Sequence, residues 1–352
     1  MTMSTPISLT SSAELPGVPF ATIRAAMLTL AEAGVMRVLE DSSTWLHLRT
    51  ALGQITFALA GTGVAVKIEA ARPDELQTLR ARLVDRLTDA VPEAASALRW
   101  SGAEAAGALP ANFRKITVRG VDPLGTAFLR VRISADDFAL FDEESIHFRL
   151  LLAPAGTGTP TWPWIAENGA TRWPSGDQAL HKPVYTARHI DPAAGEITFD
   201  VFVHEGGRVT EWARAVTPGD TLGLIGPGGG GIPRATRIHM FGDETAFPAI
   251  ARILDTLPAT AEGRVTLQCD DGAACGYPMP EHPGITVTWL RRDCGINLAD
   301  LALAEEDGWG DRFLWFAGEK ADAQRLRAAF KAAGGDSDDS YIAAYWTRPR
   351  AA

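Results

Sequence analysis

The sequence predicts a multidomain protein: a small α/β unit, then an antiparallel β-barrel, then an α/β domain on a parallel sheet. Three observations lead there. Residues 1–101 hold a segment of helical apolar spacing, a run of short Gly-punctuated strands and an amphipathic helix. Residues 112–235 carry six β-rich segments separated by turn residues, the texture of a small barrel or sandwich. Over residues 236–352 strands alternate with helices, which implies parallel strands joined by helical crossovers. The 352 residues suffice for two or three domains with cores of their own.

Residues 1–16 are rich in Ser and Thr and read as a loose tail, with no basic stretch and apolar core to suggest a signal peptide. "PFATIRAAMLTLAEAGV" has helical spacing, and "STWLHLRTALGQITFALAGTGVAVKIEA" reads as strands. Asp74 is the expected N-cap of a helix running through "RPDELQTLRARLVDRLTDAVPEAASALRW". "SGAEAAGALPA", 101–111, is linker-like. Barrel strands are expected in "FRKITVRGVDPLG", "AFLRVRIS", "SIHFRLLLAP", "KPVYTARHID", "EITFDVFVHE" and "DTLGLIGP". The insertion at 155–181 is a long loop of a kind that is often functional. Beyond 236, "RATRIHMFGDETAFPAIARILDTLP" is strand, turn and helix. "RVTLQCD", "ITVTWLRRD" and "DRFLWFAGE" are strands, "KADAQRLRAAFKAAGG" is a helix and "DSYIAAYW" a last strand.

The net charge of −10, with no dense Lys/Arg run, argues against nucleic-acid binding. An anionic ligand must then be caught by a few arginines or by helix N-termini. Cys269, Cys275 and Cys294 fit neither a zinc site nor an iron–sulfur cluster and read as the reduced thiols of a cytoplasmic protein. His181, His189, His204, His239 and His282 stand at no metal-ligand spacing, so no metal is expected. No GxSxG or HExxH anchors a hydrolase, and no apolar run approaches the ~20 residues of a membrane span.

Several stretches could carry chemistry, and each has a plainer reading. Tyr185-Thr186-x-Arg188 supplies a ring, a hydroxyl and a cation from one strand, or is simply a barrel strand. In Val203–Ala213, two glycines precede a helix expected to start near Thr210, which makes either an anion cradle or a hairpin turn. Gly226–Gly231 is a hinge, the rim of a cofactor cleft, or both. Phe241–Ala249 is the first strand-to-helix turn of the α/β domain, where such sheets bind nucleotides. There Asp243 and Glu244 are expected to cap the helix. Leu314–Glu319 would form the other wall, with Arg325 and Arg327 in reach of a ribose phosphate or merely solvated. Arg291 and Arg292 follow a strand and could receive an anionic substrate.

Taken in order, Tyr-Thr-x-Arg, "FDVFVHEGGRVTEWA", "PGDTLGLIGPGG", "GDETAFPAIARIL", "WLRR", "WFAGE" and the terminal "YW" resemble the siderophore-interacting protein family over residues 112–348. That family comprises ferredoxin-reductase-like, flavin-dependent ferric-siderophore reductases. The resemblance implies an FAD-binding barrel at 112–235 and an NAD(P)H-binding domain at 236–352. Tyr185 would pack on the flavin and Thr186 would bond near its N5. Arg188 would help hold the phosphates. Val203 and His204 would lie along the ribityl chain, and the turn of Gly207, Val209, Thr210 and Trp212 would bind the pyrophosphate. Gly242, Asp243, Glu244, Thr245, Ala246, Ala317, Gly318 and Glu319 would line the nicotinamide path, with Tyr345 and Trp346 near the flavin. Arg291 and Arg292 would attract an anionic ferric siderophore. No side chain need act as nucleophile or strong acid. The first 101 residues resemble a small domain that accompanies some members and has no chemistry to carry over.

The pattern departs from the family at Pro183, where an arginine is usual two residues before the tyrosine. Proline offers no hydrogen-bond donor. Lys182 beside it supplies a point charge rather than a fork. The cradle reads Gly-Arg-Val-Thr in place of Gly-Pro-Ala-Ser. The expected function is a cytoplasmic FAD-dependent reductase that passes electrons from NADH or NADPH to an Fe(III) chelate and releases Fe(II). A ferredoxin donor stays open. The alternatives are a non-catalytic siderophore- or partner-binding protein that has lost tight FAD, and a general flavin reductase.

Overall fold

The computed structural model describes residues 9–32, 36–103, 105–138, 141, 145–156, 158–304 and 312–348. They gather into two compact units. The first takes its residues from Met1–Phe113 and Leu152–His181, the second from Arg114–Leu151 and Lys182–Ala352.

The first unit is an antiparallel sheet with helices. Strands β1 (Leu9–Leu15), β2 (Arg37–Asp41), β3 (Trp45–Thr50), β4 (Gly53–Ala60) and β5 (Gly63–Ala70) are ordered β1-β5-β4-β3-β2. Helices α1 (Phe20–Glu32), α2 (Pro73–Ala90) and α3 (Pro92–Ala97) complete it. Ile23 and Met27 of α1 and Leu83 and Val84 of α2 share one buried cluster with Leu46, Phe57 and Val66 of the strands. Residues 1–8 of the expected tail lie outside the described residues. Residues 9–15 are a full strand, because alternate side chains are buried and every residue pairs with β5. The expected continuous helix breaks between α2 and α3 at Val91, since Pro92 cannot donate to the turn before it. Asp74 does not cap. Arg72 is the N-cap residue, and Asp74 pairs with its guanidinium from inside the first turn.

The segment expected as a long loop packs within this unit instead. Asn168 Nδ2 donates to the Ala95 carbonyl at 3.1 Å, and Gln77 Nε2 donates to Gly169 at 3.2 Å. Short strands β9 (Trp164–Ile165) and β10 (Thr171–Arg172) form a ladder, and Gly107 N donates to Ile165 O. The 101–111 stretch is thus held by hydrogen bonds rather than left as a free linker.

In the second unit, β6 (Phe113–Leu124), β7 (Phe128–Ser134), β8 (His147–Leu151), β11 (Val184–Thr186), β12 (His189–Asp191), β13 (Glu196–Phe202) and β14 (Thr221–Gly228) form one sheet. Its order is β11-β8-β14-β6-β7-β13-β12. Phe148, Leu150, Val131, Ile133, Phe199 and Leu224 are buried. Arg188 N donates to Thr198 O at 2.8 Å, which brings the β11 end back against β13 as a barrel requires. The strand expected over 182–191 is therefore two strands, with Ala187-Arg188 at the bend. Helix α4 (Arg208–Ala215) follows β13.

Five parallel strands then run in the order β17-β16-β15-β18-β19: β15 (Arg237–Asp243), β16 (Glu262–Cys269), β17 (Ile285–Arg291), β18 (Phe313–Glu319) and β19 (Ser340–Trp346). Helices α5 (Phe247–Thr256), α6 (Leu298–Leu303) and α7 (Lys320–Ala332) accompany them. Strand order reverses between β15 and β18, so their carboxyl ends flank the crevice where open α/β sheets bind ligands. Barrel and parallel sheet are joined by polar contacts. Arg252 Nη1 donates to Ala187 O at 2.6 Å, Tyr277 Oη donates to Asp200 Oδ2 at 2.7 Å, and Arg188 pairs with Asp255 at 2.6 Å.

Candidate functional site

The barrel contributes β11. The Tyr185 ring lies 5.2 Å from Phe199, which also meets Phe148 edge-on at 5.4 Å and stacks on Trp212 at 6.5 Å and 11°. Desolvation pushes the Tyr185 phenol well above its ordinary pKa, so it stays neutral. Thr186 is buried, and its hydroxyl sits 3.1 Å from His147 Nδ1, the residue paired with it across the ladder. Pro183 keeps its carbonyl in use, accepting from Leu150 N at 3.0 Å. Arg188 turns the other way, toward Asp255 on α5, because the bend at Ala187 re-aims its side chain. Its Nε is buried with no hydrogen-bond partner among the described residues.

The turn after β13 forms the second element. Helix α4 starts at Arg208, two residues before the expected start, and Gly207 is its N-cap with no side-chain cap. The N–H groups of the first turn therefore have no intrahelical partner. Thr210, at the third helical position, does not cap. Its hydroxyl accepts from His204 N at 3.3 Å and turns toward the Phe202 carbonyl. Gly207 is required by space: a Cβ there would lie 2.7 Å from the His204 ring and 2.9 Å from Thr210 Oγ1. His204 itself is exposed beside Val203, and its ring stacks on Phe202 at 6.2 Å. Val209 is buried beneath the turn. A glycine cradle at an uncapped helix start fits the pyrophosphate of FAD, and Tyr185 with Thr186 fits the flat end of the same molecule.

The third element is the switch point of the parallel sheet. Gly242 is there because a Cβ would lie 2.6 Å from Ile250 Cδ1 and 2.7 Å from Ala246 Cβ. Asp243 caps the turn: its Oδ1 accepts from Thr245 N at 3.0 Å and Thr245 Oγ1 at 2.5 Å. Its Oδ2 accepts from Trp346 Nε1 at 2.6 Å. Burial raises the Asp243 pKa against these bonds. Ala317 is fully buried, and a Cβ on Gly318 would come 3.1 Å from Asp243 Oδ2. Glu319 caps α7 through Ala321 N at 2.6 Å and accepts from Arg348 N at 3.1 Å, the bond that chiefly holds its pKa down. Glu244 does not cap. It is buried and paired with Arg292, because that guanidinium offsets the desolvation of its carboxylate.

Arg292 is consequently shared between buried Glu244 and exposed Asp270. Arg291 pairs with Asp293 in a fully solvated bridge, a weak and exchangeable contact. Arg325 is engaged by Asp300 and Asp322, and Arg327 donates to the Ile342 carbonyl. Tyr345 joins the site through His147, its hydroxyl 3.0 Å from Nε2. His147 escaped the sequence reading. The only signal for it was a histidine opening a β-rich segment, and the register opposite Thr186 cannot be read from one strand. Among the described residues no cluster of side chains is suited to a metal, Cys269 and Cys275 are buried free thiols, and no helix is long and apolar enough to cross a membrane.

An antiparallel barrel bearing a helix-start cradle, followed by a parallel sheet with a crevice at its switch point, defines the ferredoxin-reductase-like class of flavoprotein. Residues 117–231 match the family model described as siderophore-interacting FAD-binding domain, and residues 235–349 match that of siderophore-interacting protein. Ferric vibriobactin reductase ViuB of Vibrio cholerae is 32% identical over 237 residues, which span 62% of this chain and 84% of that one. The chain belongs to the siderophore-interacting protein family. An NADPH-dependent ferric-chelate reductase of Escherichia coli is 28% identical over 66% of this chain and 92% of its own length. The crystal structure of a siderophore utilization protein from T. fusca superposes with a TM-score of 0.58 at 28% identity, over 70% of this chain and 97% of that one. The chain spans only about a fifth (21%) of the length of the mycobactin import ATP-binding/permease protein IrtA of Mycolicibacterium smegmatis, with 30% identity over 51% of its own residues.

Proposed function

We propose that this protein is an FAD-dependent NAD(P)H reductase of ferric siderophores that releases iron as Fe(II) in the cytoplasm. The observation that carries the reading is one compact unit holding the Gly207 cradle, Tyr185-Thr186, tied to α4 through Phe199 and Trp212, and the switch-point crevice at Asp243 and Gly318. Names of relatives that reduce ferric chelates support it. Bound FAD would supply the two-electron to one-electron conversion, taking a hydride from NADH or NADPH and passing electrons singly to Fe(III).

The chain's own part is binding and electrostatics. Backbone N–H groups at the start of α4 would hold the pyrophosphate, with Val203 and His204 alongside the ribityl chain. The positive end of that helix would supply charge of the kind that Pro183 cannot. Tyr185 would flank the ring system, and Thr186 would present its hydroxyl to the N5 edge. Gly242–Ala246 and Ala317–Gly318 would admit the nicotinamide nucleotide, with Trp346 fixing Asp243. Arg291 is the cation free enough to meet an anionic Fe(III) chelate, since its carboxylate partner is solvated. The test is to add FAD to the purified protein, follow the flavin absorbance, then measure NADH and NADPH consumption and Fe(II) release with a ferric hydroxamate or catecholate. Chelate binding without turnover in the FAD-loaded protein contradicts the proposal.

A further inference from the structure

A line of hydrogen-bonding side chains, buried at Thr186 and His147 and half-buried at two tyrosines, leads away from Thr186. Thr186 Oγ1 is 3.1 Å from His147 Nδ1, and His147 Nε2 is 3.0 Å from Tyr345 Oη. Tyr345 Oη in turn is 3.4 Å from Tyr341 Oη. Tyr341 and Tyr345 share one face of β19, as residues four apart on a strand do. Trp315 packs beneath them, stacked on Tyr341 at 5.4 Å and edge-on to Tyr345 at 6.2 Å. Tyr341 also lines a cavity of about 1110 Å³, at the amino ends of β15, β18 and β19, whose walls include Arg234, Asp338 and Ser340.

The glycine run between the barrel and β15 makes room for this line. A Cβ on Gly229 would come 2.6 Å from the His147 ring, and one on Gly230 would come 2.3 Å from the Tyr341 ring. The run thus has a spatial task beyond that of a hinge.

We infer that His147, Tyr345 and Tyr341 form a proton relay between the Thr186 hydroxyl and the cavity beside Tyr341. The inference rests on the proposed reductase reading, and the stoichiometry calls for such a path. One NAD(P)H and two Fe(III) give NAD(P)⁺, two Fe(II) and one H⁺. Bound flavin would receive two electrons and one proton as a hydride and give the electrons up singly to the two ferric chelates, so one proton would remain to be carried away from the Thr186 hydroxyl. A neutral imidazole donates from one nitrogen while it accepts at the other, so it can pass a proton on and return to its starting state when the chain resets. Burial, aided by Arg252, holds the His147 pKa down at about 4, which keeps the ring neutral at pH 7. Burial holds both tyrosine hydroxyls protonated, and Asp243 and Tyr341 add to this at Tyr345.

Tyr341→Phe removes the last oxygen of the relay and keeps the ring. Tyr345→Phe removes the one before it. FAD content is measured first in all three proteins. Protein reduced with one equivalent of NADPH is then mixed with excess ferric chelate in H₂O and in D₂O, and flavin reoxidation and proton release to a pH dye are followed. The expected wild-type result is a proton release that slows in D₂O. Both variants should release it about a hundredfold more slowly, the lower end of what losing a proton-transfer group costs. A readout without flavin accompanies this: ¹⁵N NMR of His147 should show a protonated Nε2 donating a hydrogen bond in the wild type, and this signature should be lost in Tyr345→Phe. FAD-loaded variants with wild-type rates and an unchanged isotope ratio overturn the relay alone. A wild type that takes up no FAD overturns the reductase reading and the relay with it.

Discussion

Replacing Gly207 with alanine should weaken FAD binding without unfolding the protein. The new Cβ would sit 2.9 Å from Thr210 Oγ1 and 2.7 Å from the His204 ring, against the 3.4 Å at which ordinary contact begins. The His204 ring is exposed and can swing aside. Thr210 cannot: it is 2% exposed, and its hydroxyl is fixed between His204 N and Phe202 O. Overpacking of this kind costs about 1–3 kcal/mol. Relief comes by shifting the turn, which moves the N–H groups of α4 off a bound phosphate. The dissociation constant for FAD should therefore rise about five- to 150-fold. Fluorescence titration with FAD measures it, and circular dichroism confirms that the fold is retained. An alanine variant that binds FAD as tightly as the wild type, with the same thermal midpoint, refutes the assignment of this turn as the phosphate cradle.

Pro183→Arg restores a donor beside Tyr185 and should tighten FAD binding about tenfold, the worth of one charge-assisted hydrogen bond, as read by the same titration. Asp200→Asn should destabilise the unit by about 3 kcal/mol in urea denaturation, because Asp200 is buried and accepts from both Arg130 and Tyr277. His147 has an ordinary pKa of 6.5 and one of about 4 when folded, so unfolding takes up a proton between these values. Stability should rise with pH across that window by up to about 3 kcal/mol and level off above it, and His147→Gln should flatten the rise in urea midpoints taken at pH 4.5 and 7. Trp346→Phe removes a donor to buried Asp243 and should raise the KM for the nicotinamide nucleotide about tenfold in steady-state assays.

Much of this was legible in the sequence, for reasons that differ by element. The central parallel strands read well because they are buried on both faces and form apolar runs, as in β18, where five successive residues from Leu314 to Gly318 are buried. The turn at Gly242 read well because its tight geometry has a residue signature. Pairing was not legible. Nothing in "SIHFRLLL" says that His147 lies opposite Thr186, and nothing near Arg292 says that Glu244 will claim it. Arg188 shows the same limit: a cation after Tyr-Thr has the right type, yet one bend at Ala187 directs it to Asp255. Residues 155–181 were misread for a related reason. Their Pro, Gly and Trp content marks a break in regular structure, while the partners that hold them, Gln77 and Ala95, lie 92 and 73 residues earlier.

The most direct test of the central claim is anaerobic and spectroscopic. The purified full chain is saturated with FAD, reduced with one equivalent of NADPH or NADH, and mixed with a ferric siderophore in the presence of an Fe(II) chelator. Bleaching of the flavin on reduction, followed by its reoxidation with two Fe(II) formed per nicotinamide consumed, is the predicted result. A flavin that is reduced but keeps its electrons in the presence of the ferric chelate would contradict it.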